Sequence, residues 1–240
     1  MLRDYDVGTY RGHDLAKENA AARPIYSFMN RVYLLMGAGL ALTAIIAYFI
    51  AGSENLMKIF IANRGLFMVL LLAELGLVFI LSLGIKKMSA ATATAGFIAY
   101  SVLNGVTMAC IFLAYTQSSI AIAFFSAAGA FGIMSLIGYF IRRDLNWIGV
   151  FGLYALVGLI VAMLVNIFAG STALETGISI VGIILFAGLT AYDTQSLKKL
   201  GATAMTREET GKYAVIGALS LYLDFINMFL FMLRLFGGRR

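Results

Sequence analysis

Three carboxylates lie inside long apolar stretches of the sequence: Glu74, Asp193 and Asp224. No lysine or arginine lies comparably deep in these stretches, so the ionisable groups there are all acidic. An acid at the centre of a bilayer costs about 2.5–3.5 kcal/mol on insertion scales. Buried acids without basic partners suit two kinds of chemistry, which are the holding of protons and the passage of cations.

The composition indicates the class of protein that holds these acids. The 240 residues are 61% hydrophobic and 12% charged, whereas soluble domains carry about 25% charged residues. Apolar runs of about 20 residues, bounded by charges, match the thickness of the hydrocarbon layer. We therefore expect an all-α membrane protein that crosses the bilayer several times.

The apolar runs predict a short polar tail at residues 1–30 and a domain of seven transmembrane helices at residues 31–240. The predicted spans are Val32–Ala51, Gly65–Ile85, Ala93–Tyr115, Ile120–Ile141, Trp147–Ala169, Ile178–Leu197 and Tyr213–Phe236.

The basic residues predict the orientation of these spans. Thirteen Lys and Arg residues fall in the tail and in alternate loops, and two fall in the remaining loops. By the positive-inside rule the N-terminus lies in the cytoplasm. The net charge of +6 is spread over short loops and ends, which argues against nucleic acid as a partner. Arg234, Arg239 and Arg240 lie outside if the last segment spans, and a re-entrant last segment is the alternative.

Small and polar residues repeat at helical spacing along several spans. The stripes are Gly217, Ser220 and Asn227 around Asp224, Thr190 and Ser196 around Asp193, and Ser101, Asn104 and Thr107 on the third span. Polar stripes on apolar helices should turn toward one another. Glu74 has only apolar neighbours at these spacings, so its partner must come from another helix. The candidates for a cation pathway are Glu74, Asn104, Ser220 and Asn227.

Asp193 and Asp224 lie on consecutive antiparallel spans, at depths that differ by about 8 Å at a rise of ~1.5 Å per residue. Their side chains could therefore meet. Two acids in one poorly solvated site cannot both ionise cheaply, so we expect the pair to share a proton near neutrality. Their oxygens also make them the candidate ligands for a hard cation such as Ca²⁺.

Small residues also predict edges along which helices approach closely. Ala91, Ala95 and Ala99 are spaced at four residues, and Gly129 and Gly132 at three. Such spacing lets helix backbones come together in a membrane. We interpret these positions as packing sites only.

The C-terminal sequence resembles a known family. Residues 218–229, Ala-Leu-Ser-Leu-Tyr-Leu-Asp-Phe-Ile-Asn-Met-Phe, and the following Leu-Arg-Leu-Phe-Gly-Gly closely resemble the last segment of the Bax inhibitor-1 family. Thr190-Ala-Tyr-Asp-Thr-Gln is similar to the preceding helix of that family, and Arg142-Arg-Asp-Leu to its loop after the fourth span. The resemblance covers the chain from about residue 25 onward.

The resemblance implies a seven-helix fold with the last helix central, and a calcium leak controlled by a pH-sensing pair, here Asp193 and Asp224. Glu74 resembles the acid that members carry in the second span. Some bacterial members have an arginine that latches the aspartate pair. Here the matching stretch places Lys86 or Lys87 in that role, and lysine lacks the planar fork of arginine.

We therefore expect a pH-sensitive calcium leak channel in a bacterial cytoplasmic membrane, without enzymatic activity or a cofactor, whose partners are lipid, Ca²⁺ and protons. One alternative is a non-conducting regulator of a membrane protease or of a stress or death pathway. A less favoured alternative is an intramembrane aspartyl protease, which Tyr192-Asp193 resembles. The second aspartate follows Leu221-Tyr-Leu rather than Gly-x-Gly, and the proline of that family's C-terminal motif is missing, because Pro24 is the only proline.

The charge distribution predicts the result of a topology experiment. Reporters fused after Arg31 or near Lys199 should score cytoplasmic, since thirteen of the fifteen loop and tail basics counted lie on that side. A reporter after Arg240 should score external. A cytoplasmic score there would contradict seven full spans and leave the first six intact.

Overall fold

Long apolar helices account for nearly all of the structure. The computed structural model describes the backbone of residues 7–203 and 205–238, and the side chains from residue 24 onward except 60–62 and 64. Residues 1–6 of the predicted tail and the C-terminal Arg239 and Arg240 lie outside the described residues. The helices are α1 (Val7–Ala51), α2 (Glu54–Ala62), α3 (Arg64–Gly84), α4 (Ala90–Met108), α5 (Ile111–Ala114), α6 (Gln117–Phe140), α7 (Asn146–Ala169), α8 (Thr172–Gly201) and α9 (Arg207–Phe236).

Seven helical segments of the described chain are long and apolar enough to cross a membrane. They are Pro24–Ala51, Gly65–Lys87, Ala90–Ala114, Gln117–Phe140, Asn146–Ala169, Thr172–Gly201 and Arg207–Phe236. No strand occurs among the described residues. The predicted all-α membrane fold with seven transmembrane helices is confirmed.

The last two helices are longer than their apolar runs predict. The predicted connection between them covers residues 198–212, whereas in the structure it is limited to residues 202–206. A capping box begins α9 early: the Thr206 hydroxyl accepts from the Glu209 backbone N–H at 3.2 Å, and the Glu209 carboxylate accepts from the Thr206 N–H at 2.8 Å. This reciprocal pair satisfies free N–H groups at the helix start, so the polar first turn remains helical.

The last helix runs from one end of the bundle to the other. Near its start, the Glu208 carboxylate accepts a hydrogen bond from the backbone N–H of Ala90, at 2.6 Å. Just beyond its end, the backbone N–H of Gly238 donates to the Ser119 hydroxyl at 3.0 Å. Ala90 begins α4 and Ser119 lies in the first turn of α6, at opposite ends of the fold. The structure therefore fits a full span and not a re-entrant segment.

The α9 helix is the most enclosed of the seven spans. In its most apolar stretch 72% of residues are buried, against 39% or less in the other six. It packs against α1, α4, α6 and α8. The central position implied by the family resemblance stays a prediction, and these four contacts accord with it.

A very short connection joins α7 to α8. Gly170 has a left-handed backbone, with φ of 59°, and its N–H donates to the Asn166 carbonyl at 2.8 Å. The Ser171 N–H then donates to the Asn166 side chain at 3.1 Å. Glycine is favoured here because a Cβ strains this backbone conformation. The two helices therefore form a hairpin with only two linking residues.

The prediction about small-residue edges is wrong. A Cβ added to Gly129 or Gly132 would meet no neighbouring atom within 4 Å, and the three alanines of the predicted edge on α4 are exposed. Their spacing is regular, but spacing alone does not tell which side of a helix faces lipid. The close contact is instead at Gly138, where a Cβ would overlap the backbone of Ala191 on α8.

The glycine contacts predict a difference between two matched substitutions. Gly138→Ala should destabilise the protein by about 1–3 kcal/mol, because α6 and α8 must separate to admit the methyl group. Gly129→Ala on the same helix should stay within about 0.5 kcal/mol of the wild type, since its Cβ meets open space. Thermal unfolding in detergent measures both. Equal losses would contradict the assigned contact.

Candidate functional site

Asp193 and Asp224 lie together where α8 packs against α9. The hydroxyl of Ser220, one turn before Asp224 on α9, donates a hydrogen bond to the Asp193 carboxylate. Asp193 and Asp224 are close enough for their charges to interact. The structure thus brings together three of the residues singled out from the sequence.

The two acids have different surroundings. Asp193 is partly buried, whereas Asp224 is 5% exposed. The Asp224 Oδ2 atom is the one buried side-chain nitrogen or oxygen among the described residues without a hydrogen-bond partner. Thr190 lies beside Asp224, but its hydroxyl donates to the Phe186 carbonyl at 2.8 Å. No hydrogen bond joins the two carboxyl groups within the part of the chain described.

No basic side chain neutralises this pair in the described structure. The ion pairs found between residues 24 and 238, the masked positions apart, are the exposed Lys58–Glu54 and Lys199–Asp144. Lys86 and Lys87 are exposed in a 3₁₀ turn that follows α3. Neither makes an ion pair with Asp193 or Asp224, so the structure does not form the predicted latch, and a latching role stays a prediction.

Glu74 forms a second acidic centre, on α3. Its side chain is 8% exposed. Its two carboxylate oxygens accept hydrogen bonds from α4: one from the Asn104 amide at 3.1 Å and one from the Thr107 hydroxyl at 2.8 Å. Its partners therefore come from another helix, as the sequence predicts, and from the polar stripe of the third span.

Hydrogen bonds extend this centre through two more helices. The Tyr222 hydroxyl of α9 donates to the Asn104 Oδ1 atom at 2.9 Å and lies 2.6 Å from the Thr43 hydroxyl of α1. Thr43 also donates to the Ser101 carbonyl at 2.8 Å. We call Glu74, Asn104, Thr107, Tyr222 and Thr43 the Glu74 network.

Within the Glu74 network, the donors of Tyr222 and Asn104 point toward the carboxylate. The single proton of Tyr222 is directed to Asn104, and the Thr43 hydroxyl beside it donates to the Ser101 carbonyl. Asn104 accepts the hydrogen bond from Tyr222 with its amide oxygen and donates to Glu74 with its amide nitrogen. Hydrogen bonds arranged head to tail in a low-dielectric interior strengthen one another. The network thus joins α1, α3, α4 and α9, and both neutral donors to the carboxylate come from α4.

The four candidates for a cation pathway separate into different places. Glu74 and Asn104 are bonded to each other, and Ser220 is bonded to Asp193 on the other side of α9. Asn227 is partly buried, and its amide donates to the Leu223 carbonyl of its own helix at 2.8 Å. The structure therefore does not place Asn227 in contact with either acidic centre.

The end of α8 that carries Asp193 is fixed to the link between α6 and α7. The Gln195 side chain accepts from the Leu145 N–H at 2.9 Å and donates to the Arg143 carbonyl at 2.7 Å. One turn on, the Lys199 ammonium binds Asp144 at 2.8 Å. The hydrogen bond from Lys199 lowers the pKa of the Asp144 carboxyl. These bonds hold the backbone on which Asp193 is placed.

Sequence reasoning missed several members of these clusters. Gln195 and Tyr222 stand inside segments quoted for the family resemblance, but neither was assigned a role. Thr43 was also missed, although it is the one hydroxyl between Leu34 and Ala47. A lone hydroxyl in an apolar run is a usable signal, because lipid offers it no partner.

The acidic residues do not form a preassembled metal centre. Among the described residues, no group of three or more His, Cys, Asp or Glu side chains is placed to hold a metal ion. Ca²⁺ takes six to eight oxygen ligands as a rule. Two carboxyl groups with one hydroxyl are far short of that number, so a cation here would keep water in its shell.

Comparison with known proteins identifies the family. Residues 26–240 match the profile of the family described as "Inhibitor of apoptosis-promoting Bax1". The chain belongs to the Bax inhibitor-1 family. Among its relatives, "Inner membrane protein YbhL" of Escherichia coli K12 is 46% identical over 218 residues, which are 90% of this chain and 93% of the relative.

Other bacterial members are similarly related. A protein of Deinococcus radiodurans is 47% identical over 215 residues, covering 90% of this chain and 92% of its own. A protein of Borreliella burgdorferi is 41% identical over 230 residues, covering 95% and 98% respectively. The chain is therefore a multi-pass integral membrane protein of the Bax inhibitor-1 family, aligned with its relatives along almost its whole length.

The geometry predicts that the two candidate asparagines differ in importance. Asn104→Ala should cost about 1–3 kcal/mol of stability, because Tyr222 and Glu74 each lose a buried partner. Asn227→Ala should cost less than about 1 kcal/mol, since only a bond to its own helix is removed. Unfolding of both variants in detergent tests this, and an Asn227→Ala loss as large as that of Asn104→Ala would contradict it.

Proposed function

We propose that this protein is a pH-sensitive leak channel for Ca²⁺, gated by Asp193 and Asp224. The observation that carries the proposal is the buried Asp224 carboxyl, which has an oxygen without a partner and a second acid beside it. A polar atom left unpaired in a membrane interior is costly. Such a cost is expected at a site whose hydrogen bonding changes during function.

The surroundings of the two acids favour one shared proton. Asp193 accepts from Ser220, a contact that suits an ionised carboxylate. Asp224 is the more deeply buried of the two, and one of its oxygens has no hydrogen-bond partner. Burial disfavours the charged form of a carboxyl group. The arrangement therefore suits an ionised Asp193 beside a protonated Asp224.

A change in that proton count is the proposed gating event. If both acids ionise, two like charges face each other in a poorly solvated site and push α8 and α9 apart. If both are protonated, the charge-assisted bond from Ser220 to Asp193 is lost and the contact weakens. Either change loosens the packing between α8 and the most enclosed helix of the bundle.

Calcium is the proposed cargo because the buried polar groups offer oxygen ligands. Asp193 and Asp224 would bind the ion briefly, with Ser220 beside them. Glu74 and Asn104 would provide a second acidic step on the other side of α9, while Asn227 remains a candidate of the pathway from sequence alone. No resident cofactor and no enzymatic step are needed for this function.

The proposed location is the bacterial cytoplasmic membrane with the N-terminus inside. The printed name of the E. coli relative, an inner membrane protein, supports the location. The charge bias supports the orientation. The structure adds that the links before α4, between α6 and α7 and between α8 and α9 share one end of the bundle, through Ala90–Glu208 and Asp144–Lys199 contacts.

Calcium flux into liposomes tests the gate. The wild type should conduct with a clear dependence on pH between about 5 and 8, the window in which a perturbed acid can titrate. Asp193→Asn and Asp224→Asn should both lose this dependence to a similar extent, because the pair titrates as a unit.

Glu54→Gln is the matched control. It removes the charge of an exposed acid on α2 that is paired with Lys58, away from the buried pair, and should keep the wild-type profile. Profiles of the two buried-site variants that overlay the wild type would exclude the pair as the sensor. Absence of flux from folded wild-type protein at every pH would exclude the channel itself.

A further inference from the structure

Tyr222 lies on the same helix as the aspartate pair and points to the other acidic centre. Ser220 and Asp224 are four residues apart, about one helical turn, so they share a face of α9. Tyr222 is rotated from each of them by about 200° at ~100° per residue. One face of α9 therefore contacts Asp193, and the other contacts Asn104, which binds Glu74.

Packing and hydrogen bonding fix Tyr222 closely. The residue is fully buried, and its ring makes edge contacts with Phe97 at 5.8 Å and Tyr100 at 5.6 Å between ring centres. Its hydroxyl is held between Thr43 at 2.6 Å and Asn104 at 2.9 Å. Hydrogen bonds of this kind weaken beyond about 3.2–3.5 Å. A displacement of α9 by less than 1 Å is therefore enough to disturb them.

We propose that Tyr222 is a positioning residue that couples the aspartate pair to Glu74. When α9 shifts, the Tyr222 hydroxyl leaves Asn104, and the Asn104 amide is no longer held against the Glu74 carboxylate. Glu74 is then free to exchange a protein donor for a cation. Because both sets of bonds lie on opposite faces of one helix, a shift of α9 at one site changes the bonds at the other. The inference rests on the proposed channel function and adds how its two centres act together.

Other ionisable groups must be considered in any pH measurement of this coupling. Those of the described residues that face α9 include Asp193 and Glu175 from α8, Tyr100 from α4, Arg31 from α1, Tyr115 from the link before α6, Lys86 from the 3₁₀ turn after α3 near the start of α9, and Glu74 of α3 behind Asn104. The α6 helix carries no charged residue. Arg31, Tyr115 and Glu175 lie near the ends of α9, so the buried acids close to Tyr222 are the pair and Glu74.

The test is a double-mutant cycle on calcium flux with Tyr222→Phe and Glu74→Gln. Tyr222→Phe keeps the ring and removes the hydroxyl. Glu74→Gln should lower flux in the wild type. It should lower flux less in Tyr222→Phe, by a coupling factor of at least about twofold, as expected for residues of one network. Tyr222→Phe should also shift the pH of half-maximal flux.

Tyr154→Phe is the matched control, because it removes a tyrosine hydroxyl from an exposed side chain of α7, outside the Glu74 network. It should leave the effect of Glu74→Gln and the pH of half-maximal flux unchanged. Additive losses in the cycle, or an unchanged pH midpoint in Tyr222→Phe, would overturn the coupling while leaving the channel intact. Wild-type protein without flux would instead reject the proposed function.

A second variant keeps the test decisive if Tyr222→Phe does not fold. Thr43→Val keeps a branched side chain of similar shape and removes the other hydroxyl partner of Tyr222, together with its bond to the Ser101 carbonyl. It should reduce the effect of Glu74→Gln in the same direction and by a smaller factor. Full additivity in a monodisperse Thr43→Val protein would overturn the coupling.

Discussion

Lipid offers no hydrogen bonds, so every polar group inside this bundle must find its partner in another part of the chain. That constraint explains why α9 is the most enclosed helix. It carries Tyr222 and Asp224, whose polar groups would be costly if they faced lipid, and it packs against α1, α4, α6 and α8. The helices therefore pack in a way that keeps these few polar atoms out of contact with lipid. Asp224 is the exception, with one oxygen left unmatched.

The two acidic centres differ in how their charge is supported. Glu74 receives neutral donors on both carboxylate oxygens. Asp193 has one donor, from Ser220, and one oxygen of its neighbour Asp224 has no hydrogen-bond partner. A fully satisfied polar network specifies one arrangement of helices, whereas a partly satisfied one costs stability. We therefore expect the Glu74 network to stabilise one packing of the helices. The contribution of the aspartate pair to stability should depend on its protonation.

The sequence was sufficient for the seven spans and for the proximity of Asp193 and Asp224, because apolar length and acidic residues are strong local signals. It failed where the outcome depends on which face of a helix meets lipid. Gly129 and Gly132 have the right spacing for close packing, but a Cβ at either position would meet no neighbouring atom within 4 Å. The early start of α9 could have been read from Thr206 and Glu209, which are spaced as a capping box. Tyr222 needed the tertiary structure, since nothing in its spacing shows that it points away from the pair.

The hairpin of α7 and α8 determines where motion can occur. Two residues join these helices, and the left-handed Gly170 and the bonds to Asn166 leave that corner little freedom. The opposite end of α8 is joined to α9 through residues 202–206. If α8 and α9 separate, the Gly170 corner makes α8 carry α7 with it, while the short 202–206 link holds α8 and α9 together at the end near Asp193. The gap would open as a wedge, narrowest at the end near Asp193 and widest at the Gly170 end, and not as a parallel-sided slot.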